Sequence, residues 1–290
     1  MGRGWRRLLF ASDFSEGCQG ALEEVTELAR TFECEVIVAN VQASPWRSWF
    51  NSHLEARHRA DRLELVVSRL EQAGIRARSH FIADGEVSRA LVGLAEYEHA
   101  DLLVVGSSSR QSHAFRRSTA EQLVRRASIP VWVSKAPGAG PRHVLCGVDG
   151  SEASRQALLL AAQLSRSFEG RLSVVHALGH PPFNPFGLSA SEVAERMGAY
   201  RADMQEQMDR FIASAGRPER ARLLWGEPHA VLCAFALEER VDLVVTGRTG
   251  KGGLRRLVLG STAEQLVRHP CASLLLLGEG QDPLFERASL

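Results

Sequence analysis

Short runs of Val, Leu and Ile alternate along the chain with longer stretches in which apolar residues recur every three or four positions. The first kind reads as strand and falls near 7 to 12, 35 to 41, 77 to 83, 101 to 106 and 130 to 134. The second reads as helix, near 16 to 31, 54 to 73, 86 to 98 and 119 to 127. After residue 140 the alternation begins again. Strands are expected near 143 to 148, 171 to 177, 220 to 225, 241 to 246 and 272 to 277, with helices near 151 to 168, 189 to 215, 227 to 239 and 262 to 268. Continuous apolar runs joined by helices indicate parallel strands buried on both faces. Right-handed crossovers then limit the fold to α/β: two tandem doubly wound domains, each a five-stranded parallel sheet with helices on both faces.

The second round is a copy of the first. Ser118-Thr-Ala-Glu-Gln-Leu-Val-Arg125 recurs unchanged as residues 261 to 268, and Ala100-Asp-Leu-Leu-Val-Val-Gly106 matches Val241-Asp-Leu-Val-Val-Thr-Gly247. Near the starts, Leu8-Leu-Phe-Ala-Ser-Asp-Phe-Ser15 matches Val144-Leu-Cys-Gly-Val-Asp-Gly-Ser151. Displacements of 136, 141 and 143 residues describe one duplicated unit with small insertions. The join, Lys135-Ala-Pro-Gly-Ala-Gly-Pro141, has nothing large and apolar to bury, so the domains are expected at 1 to 136 and 141 to 278.

Within the second copy, Val244 to Ser261 turns a strand into a glycine-rich loop and then opens a helix. Gly247, two residues, Gly250, nine residues, Gly260 and Ser261 give the spacing G-x2-G-x9-G-S. Glycines there let the backbone approach a ligand closely, and free N–H groups at a helix start suit phosphate. The loop is neither a Walker A loop nor G-x-G-x-x-G, because position 255 is Arg. Read alone, it is equally a flexible turn before a helix capped by Ser261 and Glu264 in an S-x-x-E box.

The glycine spacing resembles the nucleotide motif of the universal stress protein family, and the resemblance covers nearly the whole chain as two tandem domains. It implies strand order 3-2-1-4-5, with a ligand crevice between strands one and four of each copy. It implies ATP in the second copy, alone or with Mg²⁺. Asp149 is expected near adenine and ribose, and the backbone near His176 and Ala177 at the adenine edge. Gly247, Arg248, Gly250, Gly260, Ser261 and Thr262 would surround ribose and phosphates, with Lys251, Arg255 and Arg256 as further cations or as solvated residues. In the family the last strands pair between protomers, so the two copies are expected to form an intrachain pseudo-dimer, with room for a homodimer of whole chains. The role implied is regulatory, in a stress response, with little or no hydrolysis; the protein partner is not legible.

The first copy departs from the motif. Asp13 and Gly106 remain, but Ser109 and Arg117 stand where the later glycines would be, with seven residues between them. Weak or absent nucleotide binding is expected there. Arg110, His113, Arg116 and Arg117 read as a solvated basic loop or an anion site. Two aromatic insertions, 44 to 50 and 180 to 186, could flank a base or pack between the copies.

Composition narrows the partners. A formal charge of +1 argues against general nucleic-acid binding, and no apolar run approaches the length of a membrane span. The basic start lacks the apolar core of a signal peptide. Five scattered cysteines with no C-x-x-C pair suit reduced thiols in the cytoplasm, mostly as small core residues. No catalytic residue and no metal-ligand set is legible, and the S-G-G-x-D-S signature of ATP pyrophosphatases is replaced by Gly147-Val-Asp-Gly-Ser151. A slow ATP-hydrolysing enzyme, a nucleotide-independent interaction module and a flavin carrier remain as rival readings.

Overall fold

The computed structural model describes residues 4–42, 52–83, 85–107, 118–135, 140–179, 183, 186–213, 218–250 and 259–278. Ser109 to Arg117, Lys251, Arg255, Arg256, the first aromatic insertion, most of the second, most of the linker and the tail after Gly278 lie outside the described residues.

In chain order the first half contains β1 (Arg7–Ala11), α1 (Glu16–Phe32), β2 (Glu35–Val41), α2 (Ser52–Gln72), β3 (Ala77–Ile82), α3 (Val87–Tyr97), β4 (Leu102–Gly106), α4 (Thr119–Arg126) and β5 (Val131–Ser134). The second contains β6 (His143–Gly147), α5 (Glu152–Ser167), β7 (Arg171–Leu178), α6 (Ala190–Ala213), β8 (Arg220–Trp225), α7 (Pro228–Glu238), β9 (Leu243–Gly247), α8 (Ser261–Arg268) and β10 (Ser273–Leu277). Alternate residues of each strand feed opposite faces, as pleating requires. Leu8 and Phe10 pack under α1 and α2, while Leu9 joins Leu91, Leu94 and Leu123 of α3 and α4. Strands buried on both faces have no polar side to show, which is why the sequence reads as unbroken Val and Leu.

The sheet is continuous through both halves, in the order β3-β2-β1-β4-β5-β10-β9-β6-β7-β8. Pairing is parallel within each half, with β1 between β2 and β4 and β6 between β7 and β9. The exception is the seam, where β5 and β10 run antiparallel with Leu275 opposite Trp132. Each last strand thus covers the apolar edge of the other. Away from the seam, one aspartate per half fixes the strand starts. Asp101 Oδ2 accepts the N–H groups of Arg6 and Arg7 at 2.7 and 2.9 Å, and Asp242 Oδ2 those of Arg142 and His143 at 2.9 and 2.8 Å.

The repeated octapeptide meets its own copy at this junction. Arg125 reaches Glu264 at 2.7 Å and Arg268 reaches Glu121 at 3.3 Å, while Arg125–Glu121 and Arg268–Glu264 close the ring at 3.5 and 2.7 Å. Each residue pairs with the counterpart of its own partner, the signature of a two-fold interface built inside one chain. On the opposite face Glu24 of α1 ties the two last strands together, accepting from Trp132 Nε1 at 2.7 Å and from Ser273 Oγ at 2.6 Å. Burial raises the pKa of Glu24, and the hydrogen bonds from Ser273 and Trp132 only partly oppose it.

Candidate functional site

The topological switch of the second half lies between β6 and β9, where adjacent strands send their chains to opposite sides and leave a crevice beyond the carboxyl ends. A cavity of about 270 Å³ opens there. Asp149, Ala177, Gly247, Arg248, Gly250, Gly260, Ser261 and Thr262 all line it, brought from segments about a hundred residues apart. His176, Ser154, Thr246, Pro228 and Leu232 complete much of the wall. The last two come from α7, which was not legible as part of a site.

Each glycine has a steric reason. A Cβ on Gly247 would stand 2.9 Å from the Cβ of Ala153, so β9 could not approach α5 as it does. One on Gly250 would stand 2.6 Å from Asp149 Oδ2, and one on Gly260 3.2 Å from the Arg248 carbonyl oxygen. That carbonyl accepts the Gly260 N–H at 2.8 Å and closes the root of the loop. Asp149 is held in turn: its Oδ1 accepts the Ser151 N–H at 2.9 Å. The Nδ1–H of His176 donates to the Val148 carbonyl at 2.7 Å, steadying the end of β6 beside β7.

One expectation needs correction and another needs refinement. Ser261 does not cap its helix. The N-cap of α8 is Gly260, which has no side chain to cap with, and Ser261 is the first helical residue. In the identical octapeptide of the first half, Ser118 is the N-cap and its Oγ accepts the Glu121 N–H at 3.1 Å. Gly260 moves the helix boundary by one residue and leaves the first turn of α8 without a capping bond from its N-cap residue. Arg248, expected near phosphates, sends its guanidinium the other way, to the carbonyls of Ala127 and Ile129 in the first half. Burial brings its pKa down to about 10. Its backbone remains at the crevice, and its charge does not. At the start of α5 the cap is Ser151, whose Oγ accepts the Ser154 N–H at 3.2 Å, leaving Asp149 outside that role.

A second cavity, about 370 Å³, lies on the other side of Asp149 and His176, against Gly150, Met204, Met208 and Phe211. In the first half the equivalent crevice persists at about 160 Å³, lined by Asp13, Asn40, Val41, Gly106 and Thr119 among others. Burial acts to raise the pKa of Asp13, but hydrogen bonds from Ser15 and Cys18 outweigh it and hold the carboxyl below its ordinary value.

The sequence profile of the universal stress protein family matches residues 4–135 and again 140–277. The chain belongs to the universal stress protein family. Two such domains in tandem account for both rounds of the fold. A universal stress protein of Methanocaldococcus jannaschii is 25% identical over 140 residues, covering 47% of this chain and 81% of its own length. A putative universal stress protein of Staphylococcus haemolyticus is 25% identical over 141 residues, covering 48% and 86%. Among solved structures, a universal stress protein of Archaeoglobus fulgidus superposes with a TM-score of 0.71 at 21% identity, over 94% of this chain and 98% of its own. One from Pseudomonas aeruginosa gives 0.70 at 17% identity, over 95% and 94%. These last two likenesses bear on the fold alone, and they extend through both halves.

Proposed function

We propose that this universal stress protein holds one adenine nucleotide, ATP, in the crevice of its second half and acts as a regulatory binding protein with little or no turnover. The observation that carries the reading is the meeting of Asp149 with Gly250 at the mouth of the helix α8 N-terminus. A carboxylate suited to a ribose hydroxyl stands against a glycine whose missing side chain leaves the backbone open, as a ligand cradle requires. The uncapped first turn of α8 offers N–H donors and the positive end of a helix dipole to phosphate oxygens. Val148, Ala177, Pro228 and Leu232 supply an apolar wall fit for a base.

Asp149 is the one carboxylate among the described lining residues, so Mg²⁺, if bound, would be held mainly by the phosphates. The same scarcity favours retention over hydrolysis, since among the described lining residues no second carboxylate stands ready to orient a water. A cytoplasmic setting suits an adenine-nucleotide sensor; among the described residues no helix is long and apolar enough to cross a membrane.

The test is the nucleotide content of the purified, denatured protein by chromatography, with the stoichiometry per chain. One ATP per chain is expected. Two would overturn the assignment to the second half alone, and none, with no uptake of added ATP, would favour a nucleotide-independent interaction module.

A further inference from the structure

The two halves differ at the corner that follows their first strands. Phe14, after Asp13, packs its ring against the core beneath Arg62 of α2. Gly150, after Asp149, carries no ring on a backbone turned the same way, left-handed in both places. Beside it, against α6, lies the cavity of about 370 Å³. The two helices bury different amounts of side chain over this face: α2 buries Leu63, Val67 and Leu70, whereas α6 buries Met208 and Ile212.

The wall of this cavity is largely apolar. Val148, Met204, Met208 and Phe211 line it, and methionine thioethers are flexible, polarisable neighbours for an aromatic ring. Its polar part includes Asp149 and His176, which also line the crevice between β6 and β9 and so form a partition between the two cavities. His176 has committed its Nδ1–H to the Val148 carbonyl, so Nε2 carries the lone pair. Arg210, the one Arg or Lys among the described lining residues, is exposed and pairs with Glu206 at 3.5 Å. An anionic ligand would therefore meet the Asp149 carboxylate with no cation held in place to offset it.

We propose that this cavity is a second small-molecule site, which takes a neutral planar aromatic compound bearing a hydrogen-bond donor. Its ring takes the place that Phe14 fills in the first half, among Met204, Met208 and Phe211, and its donor turns to Asp149 or His176. The first half carries its own occupant at this corner, and the second draws one from solution. A volume of about 370 Å³ is at the small end for ligand pockets and suits one or two fused rings. The site lies on the α6 side of the partition, whereas Gly247, Gly250, Gly260 and the start of α8 line the other cavity. It stands whether or not that other cavity holds a nucleotide.

The chain has four methionines, Met1, Met197, Met204 and Met208, and the last two line the cavity, so NMR of the full chain with carbon-13-labelled methionine methyls reads its occupancy directly. Indole is the probe. It should give ring-current shifts at Met204 and Met208 that saturate in the millimolar range, as expected for so small a ligand, and leave Met1 and Met197 in place. Benzoate, of similar size but anionic, should bind at least about tenfold more weakly. Gly150→Phe supplies the ring that the first half already has, on a backbone that accepts it there. It should shift the same two methyls with no indole added and weaken indole at least about tenfold, with the circular dichroism of the parent retained. The proposal is overturned if indole leaves both methyls in place, if benzoate binds as well as indole, or if folded Gly150→Phe binds indole as the parent does. It is equally overturned if ATP alone moves Met204 and Met208 as indole does, which would give the cavity to the nucleotide.

Discussion

At the end of β1 the chain reads Asp13-Phe14-Ser15, and at the end of β6 it reads Asp149-Gly150-Ser151. The backbones agree: the middle residue is left-handed in both, with φ of 62° at Phe14 and 78° at Gly150. Each aspartate accepts the N–H two residues on at 2.9 Å. The side chains disagree. Phe14 lies under the guanidinium of Arg62, 4.4 Å from the ring centre, and Arg62 donates to the Phe14 carbonyl at 3.1 Å. Gly150 leaves its corner bare, and a cavity opens in its place. Duplication has kept the frame of the crevice in both halves, and side chains decide how much room it encloses.

The sharpest way to break this contrast is Gly250→Val. A branched side chain there displaces the Asp149 carboxylate and fills the path of the phosphates, so ATP affinity should fall at least ~100-fold, or ~2.7 kcal/mol. Calorimetric titration reads it, and Ser109→Val is the control that should leave affinity unchanged. If Ser109→Val abolished binding and Gly250→Val did not, the halves would have exchanged roles.

Next in size is the junction that the halves share. Glu24→Ala leaves the Trp132 N–H and the Ser273 hydroxyl buried without their acceptor, costing about 2 kcal/mol in urea unfolding. The pH dependence has a definite sign. The pKa of Glu24 is higher in the fold than its unfolded value of 4.5, so its protonated form is the one that folding favours. Its contribution is complete below pH 4.5 and fades as pH rises through the raised folded value. Glu24→Gln should remove that decline, seen as a flatter stability curve above pH 4.5 than the parent shows.

Asp149→Ala should weaken ATP about tenfold, the effect of one charge-assisted hydrogen bond, while Asp13→Ala leaves affinity unchanged. The smallest effect is expected at Phe14→Gly. Relief of a left-handed non-glycine residue gains about 1 kcal/mol, and loss of the ring beneath Arg62 forfeits about as much, so thermal unfolding should move by no more than a few degrees.

The sequence made the inner strands legible because burial on both faces leaves no polar position to confuse the reading, as in β10, where all five residues are buried, whereas the edge strands β3 and β8 are only partly buried and carry arginines. It made the crevice legible because Gly247, Gly250 and Gly260 answer local steric needs that spacing records. It misled at Ser261, where S-x-x-E is spelled as in the first half but the residue before it, Gly260 instead of Arg117, shifts the helix start. Arg248 lines the crevice as expected, but its proximity to glycines in the chain says nothing of where its long side chain ends, which is on carbonyls of the first half. The ring of Glu121, Arg125, Glu264 and Arg268 was hidden for a related reason. An identical repeat announces itself, but only the fold reveals that its copies face each other.

Arg248 begins in the glycine loop of one half and ends on carbonyls at the C-terminus of α4 in the other. A buried guanidinium cannot leave those carbonyls without stranding its charge, so the root of the loop is surveyed from the first half as from a fixed datum. A C-terminal half cut free near residue 138 would keep every cavity-lining residue and lose that point of reference. The half with the smaller crevice therefore has a use that no ligand assay of its own would reveal: it sets the position from which its neighbour's loop departs.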